Sequence, residues 1–127
     1  MLQMGKAFEE QGKIKEAKEW YNKAIKYQPL DAYSYLGFLC LSNAQYSEAI
    51  KYYQKIVAIE PRDSNAWYNL GLIHLRLGDH GKARIFFEKS YEIDPNGEDV
   101  KNNLITVYQA LGELKLAQSL NEKQLKK

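Results

Sequence analysis

Two histidines and one cysteine are the residues of this chain best equipped for catalysis or metal binding, and their settings argue against both. His74 and His80 lie six residues apart, off-phase for one helix face, so they do not form a ligand pair for a shared metal. Cys40 is the only cysteine, which excludes an internal disulfide. Leu39 and Leu41 flank it, an apolar setting in which a thiol stays protonated and inert. No serine or cysteine has a partnered base, and no glycine-rich loop could cradle a phosphate. Glu9, Glu10 and Glu113 fall on solvated faces. No enzymatic activity, cofactor or metal is therefore expected, and the chemistry left is recognition. Asn69 and Asn103 stand 34 residues apart. A side-chain amide both donates and accepts, so two in equivalent places could hold an extended peptide backbone.

The elements that would position these residues are helices. Trp67, Leu70, Gly71 and His74 fall at spacings that put them on one helix face. Ala83 and Phe87, four apart, share a face of the next helix. Between them Gly78 stops one helix and Asp79 is suited to cap the next. Pro95 closes the second helix, because a proline disfavours helical geometry in the residue before it. By the same signals the spacing predicts helices over 1–11, 13–27, 32–43, 46–59, 64–77, 80–93, 98–111 and 113–124. Asp31 serves as a cap for the third, and Pro29-Leu30-Asp31 as the connection before it. Lys123, Lys126 and Lys127 suit the C-terminus of the last, where the backbone dipole favours cations.

This helix pair is repeated. Gly71, Ala83 and Pro95 are separated by twelve and twelve residues, as are Gly37, Ala49 and Pro61, and Gly5, Ala17 and Pro29. Ile105 and Ala117 keep the first interval, with no proline after them. The alanines recur every 34 residues from Ala49 to Ala117, and a period of that size marks stacked helix pairs. The pattern Trp-x-x-Leu-Gly-x-x-Tyr, Ala-x-x-x-Phe, Pro resembles the tetratricopeptide repeat. The third copy matches it as Trp67, Leu70, Gly71, His74, Ala83, Phe87 and Pro95, with histidine in a core aromatic slot. The second matches as Tyr33, Leu36, Gly37, Cys40, Ala49, Tyr53 and Pro61, and the first as Met1, Met4, Gly5, Phe8, Ala17, Tyr21 and Pro29.

The resemblance implies an all-α fold, a right-handed α-solenoid of antiparallel helix pairs with about eight helices. It implies one domain over 1–127, with repeats at about 1–29, 30–63, 64–97 and 98–127. The last is degenerate and capping: Lys101 replaces the tryptophan and Asn121 the phenylalanine, as suits an outward polar face.

In such repeats the first helix of each pair lines a concave surface, and the resemblance places a binding site there. The face opposite the packing anchors carries Tyr35, Phe38, Leu41, Tyr68, Leu72 and Leu75, expected as an exposed apolar strip of the kind that marks a binding surface. Beside it stand Asn69, Arg76, Asn102, Asn103 and Thr106, with Lys6, Glu10, Asn65 and Asp99 on the same faces. Family members that clamp a peptide's terminal carboxylate use lysines, an arginine and asparagines here. The corresponding positions hold Ser34, Phe38, Asn69, Asp99 and Asn103, so strong capture of acidic peptide ends is not expected. The expected partner is a peptide or helix of another protein, with self-association into homo-oligomers as the alternative.

Composition agrees with that class. The chain has 127 residues, 45% of them hydrophobic and 27% charged, enough for a real core. A net charge of +2 is too small to imply nucleic acid or an anionic membrane surface. No run of about 18 apolar residues and no signal-peptide core is present, so no membrane insertion and a cytoplasmic location are expected.

Overall fold

The computed structural model describes residues 1–125, with side chains through Glu122; the C-terminal lysines named above lie outside this range in whole or in their side chains. The described residues form eight helices and no strand: α1 (Leu2–Glu10), α2 (Ile14–Ala24), α3 (Pro29–Ser42), α4 (Tyr46–Ile59), α5 (Ser64–Arg76), α6 (His80–Ile93), α7 (Glu98–Ala110) and α8 (Leu114–Leu125). The fold class is all-α, built of repeated helix pairs. Two compact units divide it, residues 1–61 and the remainder from Arg62.

Within each unit, consecutive helices pack pairwise, and the short turns between them force antiparallel directions. In the first three pairs the first helix carries a glycine where the second helix presents an aromatic ring. A Cβ on Gly71 would stand 2.5 Å from the Phe87 ring, and one on Gly37 would stand 2.9 Å from the Tyr53 ring. Gly5 faces Tyr21 in the same way. Only a residue without a side chain lets the ring lie flat on the backbone of its partner. The second unit's core gathers Ala83, Phe87, Leu104, Val107 and Tyr108; the first unit's gathers Ala17, Tyr21, Leu36 and Leu39.

The turn inside each pair is one motif used four times. Its last residue donates to a carbonyl five residues back: Lys13 to Phe8, Gln45 to Cys40, Asp79 to His74 and Glu113 to Tyr108, at 2.7–2.9 Å. The residue before it is left-handed, with φ of 76° at Gly12, 80° at Gly78 and 78° at Gly112. This is the Schellman stop, which satisfies carbonyls the helix end would leave bare. In the second pair the same place is held by Ala44, at φ 59°, the one non-glycine with positive φ among the described residues. Asp79 caps α6 as its sequence suggests, accepting from Lys82 N–H at 3.0 Å, and Asp63 caps α5 through Ala66 N–H at 3.1 Å.

Three sequence expectations need correction. Pro29 does not sit in a connection ahead of α3 but opens it, and Asp31 lies in the first turn rather than at the cap. A proline suits the first helical position, where its missing N–H has no partner to lose. Second, α2 stops at Ala24 rather than running to 27, the chain turning through N–H bonds from Tyr27 and Gln28 to the Ala24 carbonyl. Third, Lys101 is not on an open polar face but 1% exposed. It lies three and seven residues before Leu104 and Tyr108, on the packed stripe of α7, and that register buries its stem whatever its charge. Asn121 is exposed.

Candidate functional site

Each unit has a concavity on the face of its first helices. In the first unit Lys6, Glu9 and Glu10 of α1 and Tyr35 and Phe38 of α3 line a groove of about 540 Å³. Two contacts hold Tyr35: its ring stacks on Tyr21 at 5.3 Å, and Lys6 Nζ lies 4.7 Å from its centre. The Tyr21 hydroxyl donates to Glu9 at 2.6 Å, tying the carboxylate to the floor of the groove. Burial, then that bond, raises the Tyr21 pKa well above its ordinary value. Phe38 stands 56% exposed.

In the second unit a pocket of about 430 Å³ lies where the starts of α5 and α7 meet the end of α6. Ser64, Asn65, Tyr68, Ser90 and Val100 line it, together with the carboxylates Asp94, Glu98 and Asp99. Ser90, buried, ties α6 to the start of α5 by donating from Oγ to the Ser64 carbonyl at 2.9 Å. Tyr68 packs its ring 5.7 Å from that of Phe87, and its hydroxyl accepts from Asn103 Nδ2 at 3.1 Å. Burial raises the Tyr68 pKa, with the charge on Asp99 adding to it and the Asn103 bond and the Arg76 charge opposing it.

The structure places the sequence candidates unequally. Tyr35 and Phe38 meet in the first groove, and Tyr68 forms a wall of the second pocket. Leu72 and Leu75 are half-buried, packed with Tyr68 against the second unit's core rather than standing as an open strip. Leu41 is 3% exposed and belongs to the interior. The reason is that α3 buries Ala32, Leu36, Leu39, Cys40 and Leu41 around much of its circumference, so it has no clean solvent side. Asn69 is half-buried, while Arg76, Asn102 and Thr106 are exposed. Asn103 spends both donors internally, on Tyr68 and on the Asp99 carbonyl at 3.0 Å, which leaves its oxygen to accept from outside. Thr106 Oγ1 donates to the Asn102 carbonyl at 3.1 Å. Glu9, Ser90 and Asp94 were absent from the candidates. Only the Asp-Pro-Asn-Gly turn at 94–97 carried a local signal for any of them, and there Asp94 accepts from Asn96 N–H at 3.1 Å.

The reactive residue types are held in packing roles. His74 stacks on Phe86 at 5.2 Å, and Phe86 stacks in turn on Trp67 at 6.0 Å. Burial lowers the His74 pKa, with Lys82 adding to the effect and Asp79 opposing it. Cys40 is fully buried, its thiol donating to Glu48 Oε2 at 3.7 Å, and burial pushes its pKa up to about 11. Among the described residues no helix is long and apolar enough to cross a membrane.

A family model described as tetratricopeptide repeat matches residues 2–61 and 41–98. Solved structures resemble the chain over nearly all its length. A double mutant of MamA RS-1 superposes with a TM-score of 0.86 at 25% identity, covering 98% of this chain and 71% of that one. MamA from residue 41 to its end, from Desulfovibrio magneticus RS-1, gives 0.83 at 25% identity, covering 98% and 72%. The first repeat domain of Spaghetti (RPAP3), bound to the HSP90 peptide SRMEEVD, gives 0.78 at 22% identity, covering 87% and 90%. No curated protein matches the sequence.

Proposed function

Because the chain belongs to the tetratricopeptide repeat family, whose helix pairs serve as protein-binding scaffolds, we propose that it is a non-enzymatic interaction module. It grips a peptide or helix of a partner protein on the first-helix faces of its units. The observation that carries this reading is the pairing, in each unit, of a fixed aromatic ring with a concavity lined by polar groups: Tyr35 beside Phe38, and Tyr68 braced by Asn103. Rings held in place lose little entropy on binding, which suits them as anchors. Asn69 and Arg76 of α5, with Asn102 and Thr106 of α7, lie further along the helices that line the second of these and supply polar contacts along a bound backbone. The RPAP3 domain holds an acidic peptide; here Asp94, Glu98 and Asp99 line the second pocket and repel one.

The test is capture of a partner with the intact chain, then affinity measurements with Phe38→Ser and with Asn69→Ala. Neither residue is in the core, so circular dichroism should be unchanged while at least one variant weakens binding about tenfold. Full affinity in both, with the fold intact, overturns the reading.

Self-association is the second reading, favoured by Leu111, Leu114 and Leu116, all large and exposed around the turn between α7 and α8. Light scattering that shows a monomer at high concentration rejects it.

A further inference from the structure

The small net charge of the chain conceals a division between its two kinds of helix. The first helices α1, α3, α5 and α7 hold five carboxylates, Glu9, Glu10, Asp31, Glu98 and Asp99, against Lys6, Arg76 and the buried Lys101. Each of α2, α4 and α6 has one cation more than it has carboxylates. The excess belongs to the first unit, where α1 and α3 hold three carboxylates against Lys6; α5 and α7 balance, with Glu98 and Asp99 against Arg76 and Lys101. The second pocket is acidic because Glu98 and Asp99 meet there with Asp94 from the turn after α6. Among the described residues no lysine or arginine lines the second unit's pocket.

The aromatic rings point the same way. Cations lie over many of the rings: Lys6 over Tyr35, Lys55 over Tyr33, Lys89 over Trp67 and Arg84 over Tyr108. Among the described residues no cation lies over the Tyr68 ring, which is held by Phe87 and by Asn103 at its hydroxyl; Arg76 acts on Tyr68 only through its charge.

We propose that the first-helix face of the second unit receives an arginine- or lysine-bearing segment of a partner protein. One cationic side chain sits in the pocket against Tyr68, among Asp94, Glu98 and Asp99. This rests on the interaction-module reading and gives its partner a chemistry. The guanidinium or ammonium gains the ring's quadrupole and the carboxylates' field together. Half-buried Leu72, one turn along α5 from Tyr68, takes an apolar neighbour of that side chain.

The probe is a labelled eight-residue peptide of alternating arginine and leucine, read by fluorescence anisotropy against the intact chain at about 0.1 M salt, where exposed charges act over about 10 Å. The control peptide replaces arginine with glutamate. The arginine peptide should bind at least tenfold tighter than the control. Asp99→Asn should weaken it about threefold to fivefold, the size of one exposed charge pair. Glu92→Gln, which removes the same charge from α6, should leave it unchanged. Equal losses in the two variants would reduce the effect to net charge and overturn the proposal, as would spermine binding as tightly as the peptide. No binding by either peptide also overturns it. If the glutamate peptide binds more tightly and Asn69→Ala weakens it, the cationic occupant is wrong and the interaction face stands. If the arginine peptide binds with full affinity in both Asn69→Ala and Asp99→Asn, the face itself is misplaced.

Discussion

Ala44 is the place where the repeat departs from its own best solution, and replacing it with glycine should stabilise the protein. Its equivalents, one period away in either direction or two, are Gly12, Gly78 and Gly112, all left-handed. Ala44 adopts φ 59° because the motif demands it, with Gln45 N–H reaching the Cys40 carbonyl at 2.8 Å. A left-handed L-residue costs about 1–2 kcal/mol in contact between its Cβ and the backbone. Glycine removes that cost but gives the unfolded chain more freedom, worth about 0.4–1 kcal/mol. Ala44 is exposed, so its methyl contributes little burial. The balance for Ala44→Gly is about 0.5–1 kcal/mol in favour of the folded state, or a rise in Tm of about 2–4 °C for a chain of this size. The mirror variant Gly78→Ala introduces a Cβ with nothing within 4 Å, so it should lose a similar amount through backbone strain alone. Thermal and urea melts followed by circular dichroism measure both. An unchanged or lowered Tm for Ala44→Gly would refute the reasoning, since it would mean that the left-handed turn residue costs nothing here.

Two further perturbations probe the pair interface. Gly71→Ala drives a methyl into the Phe87 ring and should destabilise by about 1–3 kcal/mol in denaturant melts, with Gly71→Ala/Phe87→Leu recovering part of the loss non-additively. His74 has its folded pKa held below the ordinary 6.5. The unfolded chain therefore takes the proton more readily, so the histidine's contribution is present above pH 6.5 and is lost as pH falls from there through the lower folded value. His74→Phe should flatten the dependence of Tm on pH across that window.

The fold was legible because its strongest determinants are small residues at fixed intervals. Gly71 and Ala83 announce a close approach, and a period of 34 residues cannot arise from one isolated helix pair. What escaped were places where the period overrules a residue's own preference. Alanine is the best helix former and would extend α3, so nothing local marks Ala44 as a stop; only its distance from Gly78 does. Lysine reads as surface, yet the slot of Lys101 is set by pair packing and takes its stem inward. Pro29 reads as a terminator by rule, but a helix start accepts proline equally well, and because α2 already stops at Ala24 the proline falls to the next helix.

The candidate face was half legible for a different physical reason. Reading a face from sequence requires one helix side to be apolar and the other polar. The α7 pattern meets that requirement, with Asn102, Asn103 and Thr106 opposite Leu104 and Tyr108; α5 meets it only in part, since Leu72 and Leu75 beside Tyr68 are packed on the core. The α3 pattern does not, because leucine occupies both sides, so periodicity puts Leu41 on the solvent side while packing puts it in the core. The acidic character of the second pocket was harder still to see. Asp94 comes from the residue after α6, Ser90 from within α6, and Asp99 from α7, elements whose approach is fixed by packing and not by spacing along any one helix. A face is a property of one element and leaves a periodic trace; a pocket is a property of several, and its charge appears only once they have met.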